Sequence, residues 1–194
     1  MTDQKARPET MGETDVIDLL LAQHGMIKNL FDEVEQAPAG RRGEAFTRLV
    51  RLLAVHETAE EEIVHPYARR KIDGGDGVVD DRLAEENQAK QLLVRMDEAG
   101  PDAPDFMPNL LVLRAAVEAH ARSEERYEFP QLRAHTSAAE RRSMATGVKA
   151  AEAIAPTHPH PGAESAAKNL LIGTPMAIMD RARDIIRQVM GKNP

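Results

Sequence analysis

The sequence predicts an all-α protein, an up-down-up-down four-helix bundle with a C-terminal helical extension. Three observations predict it. Composition is 42% apolar and only 3% aromatic, which suits amphipathic helices better than sheet. Apolar residues recur at three- and four-residue intervals over four segments of roughly 20 residues, each about 30 Å long as a helix. Short Gly/Pro-rich breakers separate those segments, and short connections favour antiparallel neighbours.

Residues 1–13 are polar, without a signal-peptide core, and read as a disordered lead-in. Thr14 or Asp15 then caps a first helix with Ile17, Leu20, Leu21, Ile27, Phe31 and Val34 inward, ending at the "APAGRRG" turn of 37–43. The second helix is expected from Glu44 to about Val64, with Leu49, Leu52, Leu53 and Ile63 inward and Pro66 marking its end or a kink. "IDGGDG" at 72–77 breaks the chain and lacks the liganding pattern of a calcium loop. The third helix, about Val78 to Glu98, buries Val79, Leu83, Leu93 and Met96. "GPDAPDFMP" at 100–108 precedes a fourth with Leu110, Leu113, Val117 and Tyr127 on one stripe. These four form a bundle over 14–135. Residues 136–194 read as a helical extension that packs on the bundle or on a second subunit, interrupted by a Pro/His-rich loop at 156–162. His158 and His160 in that loop are read as part of a rigid connection rather than a metal site.

Charge and composition narrow the function. A net charge of −7 without a basic block argues against nucleic acid as a partner. With no cysteine, thiolate zinc, iron–sulfur clusters, disulfides and a cysteine nucleophile are excluded, and a reducing cytoplasm fits. No apolar run reaches the roughly 18 residues of a membrane span, so the protein is expected to be cytoplasmic, as a monomer or homodimer.

One pattern carries chemistry. "HETAEEEIVHP" at 56–66 and "HARSEERYEFP" at 120–130 both read His-x-x-x-Glu-Glu-x-x-x-x-Pro. Residues four apart on a helix lie one above the other, about 6 Å along the axis. His56 and Glu60, and His120 and Glu124, fall in the middle of the apolar stripes of even-numbered helices. Two carboxylates aimed at one core depth repel, and a buried unpaired carboxylate costs several kcal/mol or loses its charge. A cation between them is the natural resolution. His24 lies on the core stripe of the first helix. On the third, aligning "AQHGMIKNLF" with "AEENQAKQLL" sets Glu86 opposite His24, and the apolar period favours Glu86 over Glu85 or Asn87.

The inferred ligands are therefore His24, His56, Glu60, Glu86, His120 and Glu124. Six nitrogen and oxygen donors without thiolate exceed one tetrahedral zinc and suit two iron or manganese ions. Terminal ligands would be His24 and His56 on one metal and Glu86 and His120 on the other. Glu60 and Glu124 would bridge, leaving room for an oxo or hydroxo bridge, dioxygen or peroxide. Glu57, Glu61 and Glu125 are expected on a solvated face and His65 near the helix end facing solvent. Tyr127 is expected in the core, with a place lining the pocket as the alternative. Only "EIVH" matches the Glu-x-x-His of ferritin-like di-iron bundles, which need it twice.

Over residues 14–135 this four-part pattern resembles the hemerythrin-like (HHE, cation-binding) domain family. The resemblance implies a four-helix bundle around two non-haem iron ions that meet O2, H2O2 or NO, in proteins that carry oxygen, sense oxygen or iron, or decompose peroxide. Where this family usually has a histidine on the third helix, the chain has Glu86. Anionic oxygen donors favour the ferric state, so catalase- or peroxidase-like chemistry is expected over reversible oxygen carriage. The alternatives are a sensor or storage protein signalling through the C-terminal helices, and a metal-free helical interaction module.

Overall fold

The computed structural model describes residues 14–153 and 174–191; the lead-in 1–13 and the loop 156–162, with His158 and His160, lie outside the described residues. All described elements are helical. The first, α1 (Val16–Gln36), starts where the Asp15 carboxylate accepts the Ile17 N–H at 3.0 Å, a cap worth about 1 kcal/mol. Its buried face carries Ile17, Leu20, His24, Ile27, Phe31 and Val34.

The second rod starts five residues earlier than the Gly-rich turn suggested, as α2 (Ala39–Ala59). Pro38 at its N-cap needs no N–H there. Gly40 and Gly43 lie inside the helix, where each costs about 1 kcal/mol against alanine, and Gly43 gives Pro101 room to pack: a Cβ there would come within 3.3 Å of the proline ring. The rod then passes through a π-turn at Glu60–Val64 and continues as α3 (His65–Lys71). Pro66 therefore does not end the helix. In the wider turn the His65 N–H bonds the Glu60 carbonyl, five residues back, and the missing N–H of Pro66 is absorbed where the α-helical ladder is already broken.

Gly74, in the left-handed region at φ 70°, turns the chain into α4 (Gly75–Ala99). The fourth rod is α5 (Phe106–Ser123), a second π-turn at Glu124–Glu128, and α6 (Phe129–His135). Here too the Phe129 N–H reaches back five residues, to the Glu124 carbonyl, just before Pro130. Between Glu124 and Glu128 each residue advances by less than the roughly 100° of an α-helix. This changes which side chains face in beyond Glu124. Tyr127, expected on the core stripe or in the pocket, is swung out and is 65% exposed. Glu128 is buried instead, at 1%.

The extension packs on the bundle of the same chain. α7 (Ala138–Glu152) opens with a capping box in which the Ser137 hydroxyl accepts the Glu140 N–H and the Glu140 carboxylate accepts the Ser137 N–H. α8 (Pro175–Val189) is capped by Thr174. Both lie along α2, and α7 also touches α1. Together they enclose the second rod so that every residue from Leu52 to Glu60 is buried. Gly147 of α7 makes the approach possible, since a Cβ there would sit 2.6 Å from Ile63 Cδ1 and 3.1 Å from Met190 Sδ.

Candidate metal centre

Four rods converge on a buried cluster of imidazoles and carboxylates. His24 comes from α1, His56 and Glu57 from α2, Glu60 from the first π-turn, Glu86 from α4, His120 from α5 and Glu124 from the second π-turn. Their donor atoms form two adjoining groups: His24, His56, Glu60 and Glu124 in one, Glu57, Glu86 and His120 in the other, with the atoms of each group within 4.8 Å of one another. His56 Nε2 lies 3.5 Å from Glu60 Oε2, and His24 Nε2 lies 3.3 Å from Glu124 Oε2. His120 Nε2 reaches across both groups, 3.4 Å from Glu124 Oε1, 3.8 Å from Glu60 Oε2 and 4.0 Å from Glu86 Oε1.

All three histidines are held the same way. Nδ1–H donates outward: from His24 to Glu125 Oε1 at 2.8 Å, from His56 to Gln23 Oε1 at 2.7 Å, and from His120 to Glu85 Oε2 at 3.0 Å. Gln23 is itself fixed, donating to Glu152 of α7 at 2.7 Å. An imidazole whose Nδ1 carries the proton offers a free Nε2 lone pair, and such outer partners accompany nearly all metal-ligating histidines. The inward atoms lack hydrogen bonds: His24 Nε2, His120 Nε2, both oxygens of Glu60 and Glu124, and Glu57 Oε2 are buried without one. Buried polar atoms left so are rare in native proteins and costly. Here they cluster in one place and share a chemistry, a set of N and O donors that fits a hard to borderline metal ion.

Without a metal the charges are in conflict. Burial drives the His56 imidazole well below its usual range, helped by the neighbouring His24 and His120. For His24 and His120 burial also acts downward, but the facing carboxylates outweigh it and hold both above the usual range. Burial and Glu124 push the Glu60 carboxyl well above the ordinary carboxylate range. Burial acts the same way on Glu124, yet His120 and His24 overcome it and keep Glu124 ionised. Glu57, buried beside Glu86, is pushed up to about 7. One cation is already built in: Lys90 contacts Glu86 Oε2 at 3.4 Å and pairs closely with Glu61.

Several side chains depart from their expected places. Glu57 is 4% exposed and belongs to the donor cluster, because it faces α4 and α5, among Lys90, Leu93, Leu113 and Val117, with Met179 of α8 beside them. His65 is buried at 2%, turned inward by the π-turn, with Nε2 donating to Glu86 Oε1 at 2.6 Å. Glu125 is 41% exposed yet anchors His24. Glu61 is partly buried and, with Glu62, takes the Arg183 guanidinium of α8; Arg187 also binds Glu62, at 2.9 Å. On α4, Glu86 is buried, Asn87 is exposed, and Glu85 backs His120. A cleft of about 330 Å3 including its open mouth leads to His24, His56, Glu57 and His120. Ile27, Phe31 and Val117 form its apolar walls, with Lys28 and Glu118 also lining it.

Fold and donor set together define a helical-bundle protein built to hold cations between histidines and carboxylates. Residues 15–132 match the Hemerythrin HHE cation binding domain, and the chain belongs to that family. It is 26% identical over 138 residues to an uncharacterized hemerythrin-like protein of Schizosaccharomyces pombe, covering 70% of this chain and 68% of that one. It is 28% identical over 141 residues to a protein named DNA nickase from Nostoc sp. (strain PCC 7120), covering 72% of this chain but only 40% of the nickase. The fold matches a crystal structure of a hemerythrin HHE cation-binding domain-containing protein from Mycobacterium kansasii with a TM-score of 0.66 at 20% identity, over 87% of this chain and 99% of that one. Among the described residues no helix is long and apolar enough to cross a membrane.

Proposed function

We propose that the chain is a non-haem di-metal protein, of iron or manganese, that decomposes peroxide. The observation that carries this reading is the pair of adjoining donor groups in which His24 Nε2, His120 Nε2, Glu57 Oε2 and both oxygens of Glu60 and Glu124 lack hydrogen bonds while Nδ1 of His24, His56 and His120 is anchored. His24 and His56 would hold one metal and Glu57, Glu86 and His120 the other, with Glu60 and Glu124 shared between them. Glu57 thus joins the six residues expected from the sequence. Two redox-active ions there would supply the electrons and holes by which two peroxides become water and dioxygen.

The chain's own residues do the rest. Apolar walls at Ile27, Phe31 and Val117 admit a small uncharged molecule and limit water. Carboxylate donors balance the metal charge and favour the higher oxidation state. The outer partners Glu125, Gln23 and Glu85 keep the three imidazoles in the ligating tautomer. The experiment is elemental analysis and a near-ultraviolet spectrum of protein from iron-replete cells, with oxygen evolution from added H2O2. Wild type should hold two metals per chain and evolve oxygen, and His56→Ala and His120→Ala should evolve little. Equal slow evolution by all three removes the enzyme.

A sensor reading has one observation in its favour. Arg183 of α8 pairs with Glu61, Glu61 with Lys90, and Lys90 with Glu86, so a charged chain runs from the extension to the donors. Protection of α8 from proteolysis that changes with metal or nitric oxide, without peroxide turnover, would favour it. Action on DNA is not carried over from the nickase, because a net charge of −7 opposes approach to a phosphate backbone.

A further inference from the structure

Behind Glu86 lies a second buried group that the metal reading does not use. His65 comes from α3, Glu128 from the second π-turn and Glu86 from α4, and they are 2%, 1% and 1% exposed. His65 Nε2 donates to Glu86 Oε1 at 2.6 Å; a carboxylate has no proton to give, so the hydrogen is on the imidazole. On the other side of the ring, Nδ1 faces Glu128 Oε1 at 3.6 Å. Neither Glu128 oxygen has a hydrogen-bonding partner. Nε2 of His65 is thus committed to Glu86, while Nδ1, itself without a hydrogen bond, faces the Glu128 carboxylate at ion-pair distance.

The internal repeat explains why this residue is here. His65 and Phe129 occupy the same position in the two eleven-residue segments, nine residues after the liganding histidine and just before the proline. Each backs the donor of an odd-numbered rod. Phe129 stacks on the His24 ring with centroids 5.7 Å apart and planes at 15°, whereas His65 hydrogen-bonds Glu86. An aromatic ring supports an imidazole; a carboxylate in the same role needs a donor. The carboxylate on α4 and the N–H donor on α3 are complementary in this chain.

We propose that His65, with the buried Glu128 carboxylate facing its far side, is the positioning residue that orients Glu86 as a ligand of the second metal. This rests on the two-metal reading, and its test is separable from that reading's failure. Full-length protein loaded with iron is analysed for metal content and for the rate of iron release to bipyridine. Wild type holds two equivalents. His65→Leu keeps the first metal and releases the second about 10–100-fold faster, the usual cost of losing such a support. His65→Gln, which retains an N–H donor, stays within a few-fold of wild type, and Phe129→Leu leaves the second metal unaffected. Should His65→Leu fold poorly, Glu128→Leu carries the same expectation with a smaller acceleration. Wild-type release of both metals from His65→Leu overturns the proposal, as does equal loss in the Leu and Gln variants. Wild type holding under one equivalent overturns the two-metal reading itself.

Discussion

The segments 56–66 and 120–130 share a motif and live in different surroundings. Both present an imidazole and, four residues later, a carboxylate to one cluster, and both follow with a π-turn and a proline. Around the first segment α7 and α8 close the outer side, so Ile63 is 1% exposed. Its counterpart in the second, Tyr127, is 65% exposed. The first contributes Glu57 to the cluster where the second has Ala121, and His65 where the second has Phe129. The shared spacing sets the donors. The facing rods differ too, with Glu86 and Glu128 set against His65 and His24 set against Phe129.

The largest effects should come where the halves are alike. Glu60→Ala and Glu124→Ala should each abolish retention of both metals in elemental analysis, since each carboxylate faces both groups. Thermal unfolding of the metal-free Glu60→Ala protein should show no loss of stability, because a buried carboxyl without a hydrogen bond is removed. Outside the ligands the halves should differ. Ile63→Ala should cost about 2–5 kcal/mol in denaturant unfolding, and Tyr127→Ala should stay within about 0.5 kcal/mol. Equal costs would mean that the extension does not cover the first segment in solution.

Metal-free protein should also lose stability toward alkaline pH. Burial alone would lower the His65 pKa, but Glu128 and Glu86 raise it to about 10, above the unfolded value of 6.5. Its contribution is therefore complete below about pH 6.5 and lost as pH rises through about 10. Denaturant midpoints across that range should fall more steeply for wild type than for His65→Leu. The smallest effect belongs to Arg187→Ala. It removes a 43% exposed guanidinium from Glu62 and should barely move the denaturant midpoint, less still at high salt.

What the sequence discloses follows helical periodicity, and it stops where periodicity stops. His24, His56, Glu86 and His120 lie within regular α-helix, with Glu60 and Glu124 at the first residue of each π-turn, so counting by 3.6 places all six at one depth. Past each π-turn the count slips, which is why Tyr127 was expected inside and His65 outside. The prolines at 66 and 130 were the available signal, since an α-helix that continues through a proline must open its ladder nearby. Glu57 was missed for another reason. Its neighbours suggest a solvated face, whereas residues of α4 and α5 about 30 to 60 positions later close over it, and no local pattern in the second helix announces that. Gln23, Glu85 and Glu125 each sit one residue in sequence from a member of the donor cluster, at its rim, where polar residues are unremarkable until the geometry shows which Nδ1 each one holds.

Anomalous diffraction from crystals of the iron-loaded protein tests the central claim most directly. Two peaks per chain are expected roughly 3.5–4 Å apart, one between His24 and His56 and one among Glu57, Glu86 and His120, both beside Glu60 and Glu124. A single peak, or peaks away from these seven side chains, would contradict the two-metal reading.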